Sequence, residues 1–319
     1  MNCRKIIVLC LLAGVLLGAG NTQARDELIF KRPGPDASLV GSQRYVKTGA
    51  KDTLADIGER FGLGYRALRL ANPNVDPWLP GVGTSVLLPR RFLLPDAPRK
   101  GIVLNSAEMR LYYYPPDAPD KVITFPVSVG RAQWKTPVGS TTVARKVRNP
   151  SWYPPRSIKE QYEKDGRQLP DRVLPGPDNP LGEYTMYLDI RGYLIHGTNH
   201  PYGIGMPVTH GCIRLHPDDI KMLYQRVPAK TPVTLVYQRF KVGWDNGVLY
   251  LEAHPPLDDG EEEPSEDMST MVDAVIRATS KISGYWINWE RAQTIAGNPD
   301  GLPHPIGRET THMKEITRR

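Results

Sequence analysis

Thirty-one prolines and 29 glycines punctuate this chain of 319 residues. Proline lacks the amide donor that a helix interior needs, and glycine weakens a helix through its backbone freedom. Few uninterrupted stretches are left for long helices. The breaks are separated by short runs rich in β-branched and aromatic residues, at 102–104, 110–114, 122–129, 141–144, 184–190, 193–196 and 231–237. Such runs read as strands, so the class is mainly β with long ordered loops. One clear helix is expected from Asp218 or Asp219 to about Arg226, with its acidic start at the positive end of the helix dipole. Between Arg145 and Glu183 lie seven prolines, and a stiff loop walling or covering a site is expected there.

The first 24 residues read as an export leader. Arg4 and Lys5 precede an apolar run at 6–17, and Thr22-Gln23-Ala24 suits cleavage before Arg25. Twelve residues are too few for a membrane span, which needs roughly 20. No later stretch is apolar enough to span, so the mature form is expected to have no membrane segment and to lie outside the cytoplasm. Losing Arg4 and Lys5 lowers the formal charge from +7 to +5. That excess is mild, no Lys/Arg patch is interleaved with aromatics, and nucleic acid is not an expected partner.

A lead-in at 25–42 precedes a small unit at 43–91. That unit reads strand (45–47), helix with a Thr53/Asp56 cap, helix (65–71), strand (85–88). Asn72-Pro73 stops its second helix. After a linker at 95–98, the strand-rich region at 98–238 forms the main domain. Residues 239–319 are expected to hold a strand at 248–253, an acidic spacer at 255–267, helices at 271–279 and 288–295, and a loose polar tail from Asn298.

Cys3 and Cys10 leave with the leader, so Cys212 is the sole remaining thiol. A leftover cysteine in an exported chain is an intermolecular link or a reactive group. His210 lies two residues before it and His196 sixteen before it. A thiol beside imidazole is the minimum apparatus for a cysteine nucleophile, with the imidazole later protonating the leaving amine. His196 ends a strand. A loop containing Pro201, Gly203, Gly205 and Pro207 can fold back to bring Cys212 near it. Gly211 permits a tight turn whose N–H groups suit an oxyanion. A rival reading is a metal site, since His196, His200, His210, Cys212 and His216 fall within 21 residues. The spacing fits no tight ligand pair, and the favoured reading has neither metal nor cofactor.

His196-Gly197-Thr198 followed by Thr209-His210-Gly211-Cys212-Ile213-Arg214-Leu215 resembles the signature of the YkuD-type L,D-transpeptidases. Val129-Gly130-Arg131, Trp134 to Gly139 and Asn149 to Pro155 agree. The small N-terminal unit resembles a LysM module, through Tyr45 to Ile57 and Ala71-Asn72-Pro73-Asn74, although Ala50-Lys51 displaces the usual acidic residue. Leader, module and tail are similar to the Gram-negative periplasmic subgroup that includes enzymes attaching Braun-type lipoprotein to murein. The resemblance implies a β-sandwich-like catalytic domain, a βααβ LysM-like domain before it and a short, partly helical region after it.

It further implies that Cys212 is the nucleophile and His196 the base and acid, oriented by a backbone carbonyl near Gly197. His210 shapes the site, Gly211 and Cys212 lend donors to the oxyanion, and Thr209 fills the motif's hydroxyl position. Arg214 orients the cysteine loop or meets a substrate carboxylate. Trp134 and Trp152 line the donor groove or pack inside, and Tyr184 or Tyr187 supplies an extra oxyanion donor. The implied partners are peptidoglycan stem peptides and glycan, with a Braun-type lipoprotein as one acceptor. The alternatives are a murein hydrolase or carboxypeptidase on the same fold, and a non-enzymatic peptidoglycan-binding protein.

Overall fold

Among the described residues short strands alternate with turns and a few short helices, as the proline and glycine content requires. The computed structural model describes residues 28–32, 34, 38–131, 134–257 and 268–310. The expected leader and residues 258–267 of the acidic spacer lie outside them.

The N-terminal part holds β1 (Ile29–Lys31), β2 (Leu39–Gly41), β3 (Arg44–Lys47), α1 (Leu54–Phe61), α2 (Tyr65–Ala71), β4 (Ser85–Leu88) and β5 (Arg91–Leu93). The central part holds β6 (Gly101–Asn105), β7 (Arg110–Tyr114), β8 (Lys121–Pro126), β9 (Val129–Gly130), β10 (Gly139–Arg148), α3 (Arg156–Lys164), β11 (Tyr184–Leu188) and β12 (Leu194–His196). It continues with β13 (Pro207–Thr209), β14 (Ile213–Arg214), α4 (Pro217–Arg226) and β15 (Pro232–Val236). The C-terminal part holds β16 (Phe240–Asp245), β17 (Val248–Ala253), α5 (Ser269–Thr279), β18 (Tyr285–Ile287), α6 (Trp289–Gly297) and β19 (Pro303–Glu309). Among the described residues no helix is long and apolar enough to cross a membrane.

The central sheet has nine strands in the order β1-β8-β7-β6-β15-β10-β11-β12-β14. It curls on itself. Side chains from β6–β8 and from β10, β11, β12 and β14 meet in one core, including Leu104, Phe125, Met186, Ile195 and Ile213. The curl is closed by backbone bonds between Ser128, just past β8, and Arg214 on the far strand, at 2.9 and 3.0 Å.

Strand alternation explains the layering. Leu111 and Tyr113 of β7 point into that core, whereas Tyr112 and Tyr114 point the other way. This outer face is covered by the N-terminal unit through Leu54, Ile57, Leu63 and Leu68. In that unit β3 pairs antiparallel with β4, framing the two helices. A capping box starts α1: Asp56 N–H donates to Thr53 Oγ1 at 3.1 Å, and Thr53 N–H donates to Asp56 Oδ2 at 2.9 Å. A third core sits between α5, α6 and the C-terminal sheet, which runs β16-β17-β19-β18.

Two expectations are corrected, and the lead-in contains a strand that was not foreseen: β1 pairs with β8 and extends the central sheet. Its three residues are too short a run to read as a strand. The proline-rich stretch contains α3, which buries none of its residues and so shows no apolar stripe. The tail is not loose over residues 298–310, and residues 311–319 lie outside the described residues. β19 pairs with both β17 and β18 and buries Ile306, so paired backbone and burial hold a segment whose composition is polar.

Candidate active site

Two adjacent strands carry the principal residues. β12 and β14 pair in parallel, with Ile195 opposite Ile213 and His196 opposite Arg214. Ile195 and Ile213 enter the core, so His196 and Arg214 share the other face. Cys212 directly precedes β14, and continuing the strand's alternation by one residue puts it on that face too. Tyr187, which lies opposite Leu194 in the register of β11 with β12, is on that face as well.

His196 is buried, and its Nδ1 is 2.7 Å from the Gly197 carbonyl. A carbonyl only accepts, so Nδ1 carries the proton. Burial, and after it the charge of Arg214, lowers the imidazole to about 3, with the Gly197 contact working the other way. The ring is therefore neutral at ordinary pH, and Nε2 keeps its lone pair. The Cys212 thiol is half-buried and donates to the Gly192 carbonyl at 3.6 Å. Burial raises its pKa, while the Leu194 backbone and Arg214 pull it down less. At rest the two groups are thus a thiol and a neutral imidazole rather than a thiolate and an imidazolium. A neutral imidazole can take a thiol proton as sulfur attacks an acyl carbon.

The turn before Cys212 is held on several sides. Thr209 Oγ1 donates to the Cys212 carbonyl at 2.6 Å. Gly211 sits at φ +99°, and a Cβ there would lie 2.8 Å from the Tyr193 ring. Thr136, which sequence reasoning did not single out, donates from Oγ1 to the Gly211 carbonyl at 3.1 Å and accepts from Gly130 N–H at 3.2 Å. Gly197 donates its N–H to the Tyr184 carbonyl. Arg214 has its backbone in the closing bridge, and its Nε has no partner among the described residues.

His210 pairs through Nε2 with Gln161 Oε1 at 2.8 Å, and its ring packs on Trp134 with centroids 4.4 Å apart. Burial, then Arg131 and Arg214, lower its pKa. Gln161 belongs to α3, so the proline-rich excursion reaches the site by this bond. Trp134 thereby flanks His210, and the Arg131 guanidinium lies 5.3 Å from its ring centroid. Trp152 instead pairs its backbone with Val173 and pins the excursion.

The two tyrosines are now separable. Tyr184 is a correction: it lies in the core, 4.9 Å from the Tyr224 ring, on the face away from His196. Tyr187 is on the His196 face, with the Arg145 guanidinium 3.5 Å above its ring. The five His and Cys residues of the metal reading do not converge. The described residues bring one potential ligand set together, Glu108, Glu252 and His254. The Lys241 ammonium already sits 2.6 Å from both of those carboxylates.

The family model for the L,D-transpeptidase catalytic domain, YkuD, matches residues 99–235. The chain is 37% identical over 314 residues to the probable L,D-transpeptidase ErfK/SrfK of Escherichia coli, covering 97% of this chain and 99% of that one. It is 42% identical over 231 residues to the probable L,D-transpeptidase YcfS of the same organism, covering 70% and 72%. A solved L,D-transpeptidase from Enterococcus faecium aligns at 21% identity and TM-score 0.33, covering 43% of this chain and 49% of that one.

Proposed function

The chain belongs to the L,D-transpeptidase family and carries its YkuD catalytic domain, and on that premise we propose that it acts on peptidoglycan stems in the periplasm with Cys212 as nucleophile. The observation that carries this reading is the pairing of β12, which ends at His196, with β14, which begins directly after Cys212, with the imidazole tautomer set by the Gly197 carbonyl.

In the first step Cys212 Sγ attacks the carbonyl carbon of meso-diaminopimelate in a tetrapeptide stem while His196 Nε2 takes the thiol proton. The oxyanion rests on the main-chain donors of Gly211 and Cys212, with Tyr187 as the assisting tyrosine. The C–N bond breaks, the imidazolium gives its proton to nitrogen, and D-alanine leaves. An amine then attacks the thioester, His196 accepts its proton, and the thiol is restored. The acceptor is a lipoprotein lysine, which anchors that protein to the wall, or a second stem, which makes a 3→3 cross-link. Arg214, charged and adjacent, suits the stem carboxylate. The βααβ unit holds the glycan as a LysM module does, with Trp78 exposed and stacked on Tyr65.

Incubation with murein fragments and each candidate amine, read by mass spectrometry, tests this. D-alanine release and one new amide are expected. Both should vanish in Cys212→Ala, and an acyl-enzyme formed by that variant overturns the assignment. His196→Ala should slow acylation by about 10²-fold or more while the protein stays folded.

A further inference from the structure

The loop from His196 to Cys212 is gripped midway by the N-terminal unit. Tyr65 N–H donates to the Ile204 carbonyl at 3.2 Å, and Arg66 N–H donates to the Gly205 carbonyl at 3.3 Å. These are first-turn donors of α2, which have no partner inside the helix. The residue before that turn, Gly64, has no side chain to cap them. Two carbonyls of the central domain do the capping.

Only glycine fits at this crossing. Gly205 is at φ +86°, and a Cβ there would lie 2.5 Å from Gly64 Cα and Tyr65 N. A Cβ on Gly64 would meet Gly205 Cα at 3.0 Å. From below, Ser128 Oγ donates to the Gly203 carbonyl at 2.6 Å, and the Ser128 backbone is paired with Arg214. Two residues past Gly205, β13 begins. It pairs with β9 and ends at Thr209, whose hydroxyl holds the Cys212 carbonyl. Arg66 also reaches the Pro255 and Pro256 carbonyls with its side chain, so α2 is fixed to the segment after β17 as well.

We infer that the N-terminal unit is a working part of the catalytic centre, positioning Cys212 through the clasp of α2 on Ile204 and Gly205 in addition to any hold on glycan. This rests on Cys212 being the nucleophile. Gly205 and the Tyr65 N–H are positioning groups that touch no reacting atom. The face that carries Tyr65 and the exposed Trp78 is thereby linked to the cysteine loop through one residue.

Tyr65→Pro isolates the clasp. Proline is well tolerated at a first helical position, and Gly64 has the extended backbone, φ −76° and ψ 148°, that precedes proline comfortably. The variant loses the N–H and keeps the helix start. Tyr65→Ala loses the ring and keeps the N–H. With a carbapenem as acyl donor and intact-mass detection, Tyr65→Pro should acylate Cys212 at least tenfold more slowly than Tyr65→Ala at saturating donor. Both should still reach one adduct per chain, whereas a merely unstable protein reaches less than one. Gly205→Ala should be slow in the same way. Gly203→Ala, whose Cβ would make only an ordinary contact of 3.7 Å with Val208, should stay within twofold of the unaltered chain. Equal rates for Tyr65→Pro and Tyr65→Ala overturn the clasp. Should Tyr65→Pro not fold, Gly205→Ala against Gly203→Ala decides, and equal rates there overturn it. Absence of any Cys212 adduct in the unaltered chain overturns the functional reading instead.

Discussion

His196, His210 and His216 are all held toward the neutral form by burial, with no carboxylate to offset it. For His196 at about 3, the base stays unprotonated well below the range where a free imidazole titrates, near 6.5. The Cys212 acylation rate should therefore stay level from pH 7 down to pH 5. A rate that falls with a midpoint near 6.5 contradicts the neutral pair. His216 tests the stability side without touching the chemistry. It is buried, its Nδ1 has no partner among the described residues, and burial lowers it to about 4. The unfolded chain binds its proton near 6.5, so between about 6.5 and 4 the unfolded state holds more protons than the fold. Stability should therefore drop as pH falls through that window. His216→Asn removes that slope and puts a good capping residue before α4. Denaturant midpoints at pH 7 and pH 5 should differ less in this variant than in the unaltered chain.

At the scale of elements, α3 shows what a helix without a buried face needs. Its nine residues are exposed or half-buried, and ion pairs hold it, Arg156 with Glu160 and Lys159 with Asp171. Exposed pairs of this kind contribute little, so the bond from Gln161 to His210 is its main tie to the site. Gln161→Ala removes one hydrogen bond worth about 1 kcal/mol. A KM rise of about fivefold with little change in kcat is expected, and an unchanged KM means α3 does not shape the donor site. The same helix marks where sequence reading stops. Strands such as β7 and β12 were legible because β-branched and aromatic residues cluster there, and α1 because Thr53 and Asp56 announce its start. The helix α3 has no buried stripe and no side-chain cap at its start. β19 is polar and takes its strand form from its partners. Cys212 and His196 were legible as candidates from spacing and residue type. Thr136 and Gln161 were not, since each acts through a contact made across some 50 to 75 positions.

Over the whole molecule, three cores are joined at one buried ion cluster. Lys241 of β16 is fully buried and reaches Glu108 next to β7, Glu252 of β17 and the Leu93 carbonyl of β5, each at 2.6 Å. Glu252 in turn accepts from Leu93 N–H at 2.7 Å and meets His254 Nε2 at 2.8 Å. Tyr112, whose ring lies in the core shared with the N-terminal unit, donates to Glu108 at 2.9 Å. One ammonium thus answers two carboxylates from different layers. Burial alone would raise Glu252, but Lys241 and His254 hold its carboxyl below the ordinary range. Glu252 therefore contributes stability that is present above its unfolded value and lost as pH falls through the lowered one. Lys241→Met strands both carboxylates, and removing one partner of a buried pair costs about 3–5 kcal/mol. In that variant the sign reverses. With Lys241 gone Glu252 rises instead of falling, so acid relieves the fold by protonating it. The stability gap between the unaltered chain and Lys241→Met should therefore be larger at pH 8 than at pH 5, and Lys241→Met/Glu252→Gln should recover part of it at pH 8. Calorimetry of the variant should show the C-terminal sheet melting ahead of the central one. A single transition in Lys241→Met, with a gap that ignores pH, would mean the three layers are held together by their apolar contacts alone.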